Sequence, residues 1–357
     1  MQISVDNAQF QTIIFGIFFV FGQILSLRST IAKPFFGKSR TEELKGFAIL
    51  AIIFSHIGYF LVSDHSFLYP FSILAGVGVN LFLFLSGFGL TLSALKDPLP
   101  VLDFYKKRLS KLFLPMWLVV ILLISADFIF LNRSYSGLTI VQALLGFFPY
   151  ADIFKSLDSP LWYFSLIFFY YLIFPLLFWK RFAYLCPLFL WLVAYLILKI
   201  NLPINPDVLN LYRRHLIAFP LGVLFAYMYT ANNLDFVRQQ LKKIFLTNYL
   251  KYILATLALL IFAYFSVNSG VDKGRNIEQT ISVITMFSIV FIFTIKGFEV
   301  RLFNLFGKYS YAIYLIHWPI LSRYGFIYQF IPGYLVTLLY LLIFLILGWG
   351  ITKVTEG

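Results

Sequence analysis

Charge, cysteine and histidine are all scarce in this chain. Charged residues fill 12% of its 357 positions, about half the share of a soluble domain. That excludes an ordinary water-soluble enzyme and an intrinsically disordered segment. The single cysteine, Cys186, forms no intramolecular disulfide, so a disulfide scaffold is excluded too. The four histidines make no Cys/His cluster with metal-ligand spacing, and no Gly-x-x-x-x-Gly-Lys phosphate loop occurs. Internal repeats of the kind that mark many secondary transporters are also missing.

What the chain does contain is apolar sequence: 61% of its residues are hydrophobic and the mean hydropathy is +0.87. A spanning helix needs about 20 mostly apolar residues. Runs of that kind lie near 10–27, 46–63, 71–94, 112–131, 161–178, 182–200, 215–230, 250–266, 280–296, 309–325 and 334–352. The expectation is an all-α, polytopic integral membrane protein with eleven transmembrane helices. The first run lacks the basic start and small-residue cleavage site of a secretory signal, so it reads as a retained helix. Ile140 to Phe148 is too short to span and reads as an interfacial or re-entrant helix.

The net charge of +13 would suggest nucleic acid on a soluble protein. Mapped onto loops it carries another meaning. With the N-terminus outside, 20 of the 28 Lys and Arg fall on the cytoplasmic side. They include Lys33, Lys45, Lys106, Arg108, Lys111, Arg238, Lys242, Lys243 and Lys251. Eight are left outside: Arg133, Lys155, Lys199, Arg213, Arg214, Lys273, Arg275 and Arg323. This asymmetry predicts an external N-terminus, a cytoplasmic C-terminus and residence in the cell membrane, with membrane lipids and no nucleic acid as partners. The division by region is an extra N-terminal helix and basic cytoplasmic loop over 1–40, a membrane domain over 41–352 and a cytoplasmic tail over 353–357. The longest loop, about 132–160, leaves no room for a soluble domain, so any chemistry belongs to helices and short loops.

Polar groups inside a bilayer are costly and mark function by default. His56 and His317 fall well inside expected helices, and Asp127 is the lone carboxylate within a span, near its outer end. Eleven steps along the chain lead from Lys45 to His56, about 16 Å of helical rise and close to three full turns. Both therefore project from one face, with a cation at the cytoplasmic lip and an imidazole near mid-bilayer. Neutral imidazole is a natural general base near pH 7. Taken separately, Lys45 also suits a snorkelling helix-end lysine and His56 a core histidine bonded to a neighbouring helix.

The Lys45-x10-His56 pairing resembles the Arg/Lys-x10-His motif of the acyltransferase-3 family, integral-membrane enzymes that O-acylate glycans and lipids. Gly76 to Phe88 is similar to that family's Gly-Val-x-x-Phe-Phe-x-Leu-Ser-Gly-Phe segment, and Phe104 to Pro115 to its basic Arg-x-x-Arg-x-x-Pro helix entry. Gly307 to Pro319 resembles its Gly-x-x-Ser-Tyr-x-x-Tyr-Leu-x-His-x-Pro. Leu161-Trp162 and Arg213 to Gly222 match more weakly. The chain departs from the pattern in Lys45 and Lys111, where Arg is commoner, and in Ile167 and Phe168, where glutamates are expected after Leu161-Trp162.

The resemblance implies a membrane acyltransferase domain over 41–352. It would move an acyl group, expected to be acetyl, from acyl-coenzyme A to a hydroxyl of a cell-envelope or capsular polysaccharide or its lipid-linked precursor. Acyl-coenzyme A is then a substrate, and no bound cofactor or metal is expected. His56, with Lys45, is the catalytic candidate, as general base or as the relay that first receives the acyl group. Arg108 and Lys111, three apart on one helix face, suit donor phosphates, with Ser310, Tyr314 and His317 forming a polar stripe beside them. Asn80, Ser86 and Trp162 are candidates for the acceptor or the pocket wall; helix packing explains Ser86 equally well, and an interface anchor explains Trp162. A transporter or flippase of a lipid-linked glycan is the alternative, and a glycan polymerase a third, although the latter would want paired basic residues in the long external loop.

Overall fold

The computed structural model describes residues 3–29, 36–69, 71–97, 100–151, 157–230, 248–267 and 275–356. Apolar sequence becomes helix here because, without water, each backbone N–H and C=O must be satisfied within its own segment. Among the described residues the helices are α1 (Ala8–Leu25), α2 (Lys38–Tyr59), α3 (Ala75–Lys96), α4 (Val101–Leu131), α5 (Gly137–Leu144), α6 (Trp162–Leu177) and α7 (Cys186–Ile197). They continue with α8 (Pro206–His215), α9 (Ala218–Thr230), α10 (Asn248–Val267), α11 (Arg275–Ile295), α12 (Arg301–Lys308), α13 (Ser310–Tyr324) and α14 (Gly333–Glu356). The structure is 80% helical. Two short strands, β1 (Leu27–Ser29) and β2 (Phe298–Val300), pair antiparallel with Arg28 opposite Glu299.

Six of these helices are long and apolar enough to cross a membrane: Ala8–Leu25, Ala75–Lys96, Val101–Leu131, Ser159–Leu177, Ile277–Ile295 and Gly333–Glu356. Cys186–Ile197 and Tyr252–Phe265 are apolar but shorter. The α2 and α13 helices are not among the six. The first opens on Glu42, Glu43 and Lys45, and the second has 15 residues that include His317 and Arg323. Of the basic residues counted for orientation, Lys33, Lys155, Arg238, Lys242, Lys243 and Lys273 lie outside the described residues, as do the side chains of Lys251 and Arg275. The short helix expected over 140–148 runs instead over Gly137–Leu144. Ser136 caps it by accepting from Thr139 N at 3.2 Å, and the left-handed Gly146 (φ +73°) ends it.

Two backbone-to-backbone contacts set the helix arrangement. A Cβ on Gly46 of α2 would lie 1.9 Å from the Phe303 carbonyl oxygen, and one on Gly307 of α12 would lie 1.7 Å from that of Glu42. Likewise, a Cβ on Gly87 of α3 would lie 2.3 Å from the Phe219 oxygen, and one on Gly222 of α9 would lie 2.0 Å from that of Phe84. Only glycine permits such approach, the usual device for helix association in membranes. Ion pairs hold the ends. At one, buried Glu43 accepts from Lys296 Nζ and Val300 N, both at 2.6 Å, tying α2 to the link between α11 and α12. At the other, Arg323 grips Asp127 through two bonds of 2.5 and 2.6 Å, joining α13 to α4.

Gly46→Ala and Gly307→Ala should each cost ~1–3 kcal/mol, the range for overpacking, and lower the thermal midpoint of detergent-solubilised protein. Gly89→Ala is the comparison. It sits exposed on α3 with nothing within 4 Å of its would-be Cβ, so helix propensity alone acts and the midpoint should hold or rise.

Candidate active site

From the contact of Gly46 with Gly307 each chain runs ten residues before it reaches a histidine, His56 on α2 and His317 on α13. On α2 those ten residues are continuous helix, about 15 Å of rise; on the other side they cross the break at Tyr309 between α12 and α13, and the two imidazoles still meet. His56 Nδ1 lies 2.7 Å from His317 Nε2. The ring planes are within 7° and the centroids 5.0 Å apart. Rings stacked face to face would not bring nitrogens that close, so the two imidazoles meet edge to edge in a common plane.

The partners decide which nitrogens carry hydrogen. His317 Nδ1 sits 2.8 Å from the Tyr314 carbonyl oxygen and 3.1 Å from that of Ile313. Carbonyl oxygens only accept, so His317 Nδ1 donates. In the neutral ring Nε2 is then a bare acceptor, and His56 Nδ1 must donate to it. His56 Nε2 is left with a free lone pair. The chain from carbonyl to His317 to His56 thus fixes a tautomer and aims a base. Trp318 meets the His56 ring edge-on at 4.7 Å, and Tyr59 lies 5.6 Å away, one turn farther along α2.

Toward the charged end of α2 lies a cavity of about 200 Å³. Its walls bring together Lys45 from α2, Phe82 and Ser86 from α3, Arg108 and Lys111 from α4, Tyr163, Ile167 and Tyr171 from α6, and Ser310 and Tyr314 from α13. Three cations and no carboxylate face it among the described residues. Arg108 is within electrostatic range of Lys45, and its Nε is buried without a partner. Glu42, one turn before Lys45 on α2, offsets part of the repulsion between Lys45 and Arg108, and the cavity wall itself is cationic. Tyr171 and Ser86 line it from α6 and α3, and the Tyr314 hydroxyl donates to the Pro160 carbonyl.

A second polar cluster joins α3, α8 and α11. His215 Nδ1 is 2.8 Å from Asn80 Oδ1, and Asn80 Nδ2 donates to Ser282 Oγ at 2.7 Å. Trp162 stacks on His215 at 5.5 Å and 24°. Next along the chain, Arg214 pairs with Glu278 at 3.2 Å.

Six of the ten sequence candidates therefore line one cavity: Lys45, Ser86, Arg108, Lys111, Ser310 and Tyr314. His317, grouped with the donor residues in the sequence, is turned instead toward His56. Asn80 and Trp162 share the second cluster and are not near Ser86. Sequence reasoning overlooked His215, which opens an apolar run, and the α8 to α11 ion pair, which no local pattern signals. It also overlooked Asp158, whose two carboxylate oxygens are buried without a hydrogen-bond partner. Ile167, one of the two places where a glutamate is expected, is an apolar wall of the cationic cavity; Phe168 lines a separate apolar cavity of about 260 Å³. No group of three or more His, Cys, Asp or Glu suited to a metal ion occurs among the described residues.

Comparison with known families matches residues 43–353 to the model described as Acyltransferase domain (Acyl_transf_3). No curated protein and no solved structure matches the chain.

Asp158 yields a test of the buried electrostatics. It lies in the connection into α6, where burial pushes its carboxyl well above the ordinary range while Arg323 pulls it partly back. The folded chain then holds this proton more tightly than the unfolded chain, so stability falls as pH rises from about 4 toward the raised value. Asp158→Asn has no charge to bury. Across pH 4 to 8 its thermal midpoint should gain on wild type as pH rises; parallel curves would contradict the assignment.

Proposed function

The chain belongs to the acyltransferase-3 family, and from that premise we propose that it transfers acetyl from acetyl-coenzyme A to a hydroxyl of an envelope or capsular glycan. Acyl transfer, the chemistry of the family, takes the place of lipid-linked glycan transport and of polymerisation. Several apolar helices agree with a multi-pass membrane protein. In our reading the excess of basic residues sets the cationic cavity toward the cytoplasm, where coenzyme A is available.

One observation carries the mechanism: the tautomer chain that leaves His56 Nε2 bare, beyond a cavity lined by three cations. Lys45, Arg108 and Lys111 hold the donor phosphates, and Ser86, Ser310 and Tyr314 shape the passage of the thioester. The acceptor oxygen attacks the thioester carbonyl carbon as its proton passes to His56 Nε2. His56 becomes imidazolium, and His317 Nε2, accepting from His56 Nδ1–H, steadies that charge without taking the proton. The C–S bond then breaks, and the thiolate takes the proton back from His56 Nε2. The products are an ester and a free thiol, with both histidines restored. His317 acts on His56 as a carboxylate does in a serine-protease triad, holding tautomer and orientation.

Radiolabelled acetyl transfer into glycan in membranes tests this reading. His56→Ala should lower the rate by ~10²–10⁴-fold, the usual worth of a positioned base. His317→Ala should lose much of the same factor, and His317→Gln should recover part of it, since its amide oxygen can accept from His56 Nδ1. A well-expressed His56→Ala protein with wild-type activity would remove His56 from the reaction. Arg108→Gln and Lys111→Gln should raise the donor KM more than they lower kcat.

A further inference from the structure

The Arg214 to Glu278 pair is strangely placed for a purely structural ion pair. Arg214 lies in the last turn of α8, Glu278 lies near the start of α11, and their side chains are 28% and 17% exposed. The pair spends a single bond on itself, of 3.2 Å, while Arg214 Nε and Glu278 Oε2 have no partner at all. Directly beneath, the buried bridge from His215 through Asn80 to Ser282 already fastens α8 to α3 and α11. Arg214 and His215 are consecutive, and Glu278 and Ser282 are one helical turn apart, so the two cross-links lie side by side. The inner one holds the wall; the outer one is left with unused hydrogen-bonding capacity.

What faces that outer pair is the reacting end of the site. Tyr59 is 51% exposed, its ring is 5.6 Å from His56, and its hydroxyl is within electrostatic range of both Arg214 and Glu278. Along α2 the order is Lys45 in the cationic cavity, His56 at the histidine pair, then Tyr59. The pair thus stands on the side of His56 away from the cavity assigned to the donor. Trp162 stacks on His215, the chain neighbour of Arg214, and so brings a second aromatic ring close to the pair.

We propose that Tyr59, Arg214 and Glu278 form the acceptor subsite, which grips one hydroxyl of a sugar ring while a neighbouring hydroxyl reaches His56 Nε2. A guanidinium donates to the gripped oxygen and a carboxylate accepts its hydrogen, so both roles of a hydroxyl are met at one spot. The aromatic rings suit the apolar face of a pyranose. An acceptor with a lone hydroxyl would leave this charged pair uncompensated, which is how a polar site rejects the wrong substrate. The subsite rests on the acyltransferase reading above and adds where, and by what chemistry, the acceptor is held.

The experiment uses the full-length chain in membranes of a glycan-producing host that lacks its own copy, with [14C]acetyl-coenzyme A as the probe. Two quantities are read together: label in ester linkage to glycan, and total coenzyme A released. Glu278→Gln and Arg214→Gln should lower the ratio of label to released coenzyme A at least tenfold, because water replaces a poorly held sugar. A ratio within twofold of wild type in both variants would overturn the subsite. The swapped double variant R214E/E278R separates binding from scaffolding, since it keeps an ion pair between α8 and α11. The proposal expects its ratio to stay low; recovery of the wild-type ratio would make the pair structural. Failure of the underlying reading looks different: wild type and His56→Ala would then release coenzyme A equally.

Discussion

The contact that the rest of this structure depends on is the one between the backbones of α2 and α12 at Gly46 and Gly307. A methyl group at either position would fall inside a neighbouring carbonyl. Lipid offers little hydrophobic drive for helices to associate, so close van der Waals approach must supply it. This approach also sets register. Equal lengths of chain lead from the two glycines to His56 and His317, so one crossing point determines whether the two rings meet. The ion pairs of Glu43 and Asp127 then clamp the helices at either end, in surroundings where an unpaired charge is expensive.

The tautomers of the histidine pair follow from its outer partners, which are backbone carbonyls. Those of Ile313 and Tyr314 can only accept, and this dictates the tautomers of both rings in turn. A carboxylate in the place of His317 would hold His56 more strongly but bring a negative charge into an apolar bundle. A neutral acceptor avoids that cost. The absence of glutamate from α6 fits the same economy. Ile167 adds an apolar wall to a cavity that Lys45, Arg108 and Lys111 also line and that no carboxylate faces among the described residues.

Much of the candidate site is legible in the sequence. The spacing from Lys45 to His56 is a helical repeat that can be counted, and Arg108 with Lys111, and Ser310 with Tyr314, are local pairs on single helix faces. Such one-helix relations follow from the 3.6-residue period. Relations between helices are not legible in this way. Ser86 joins the cations and not Asn80; His317 turns to His56 and not to the cationic cavity; Arg214 finds a partner 64 residues away. None of these follows from periodicity, because α3, α6 and α8 could have been rotated or ordered otherwise without changing their own patterns.

By itself, then, the sequence determined the solvent, the helical class and the chemical groups at hand. Apolar runs must become helices where no water can satisfy the backbone, and in such a background the few polar residues stand out. Only the tertiary structure decided which of those groups face each other. That choice was made by glycines, whose lack of a side chain carries no chemical signal in the sequence but sets how close two helices can come. A base is aimed, and a cationic cavity closed, by contacts between residues hundreds of positions apart, and those contacts exist only once the helices have packed.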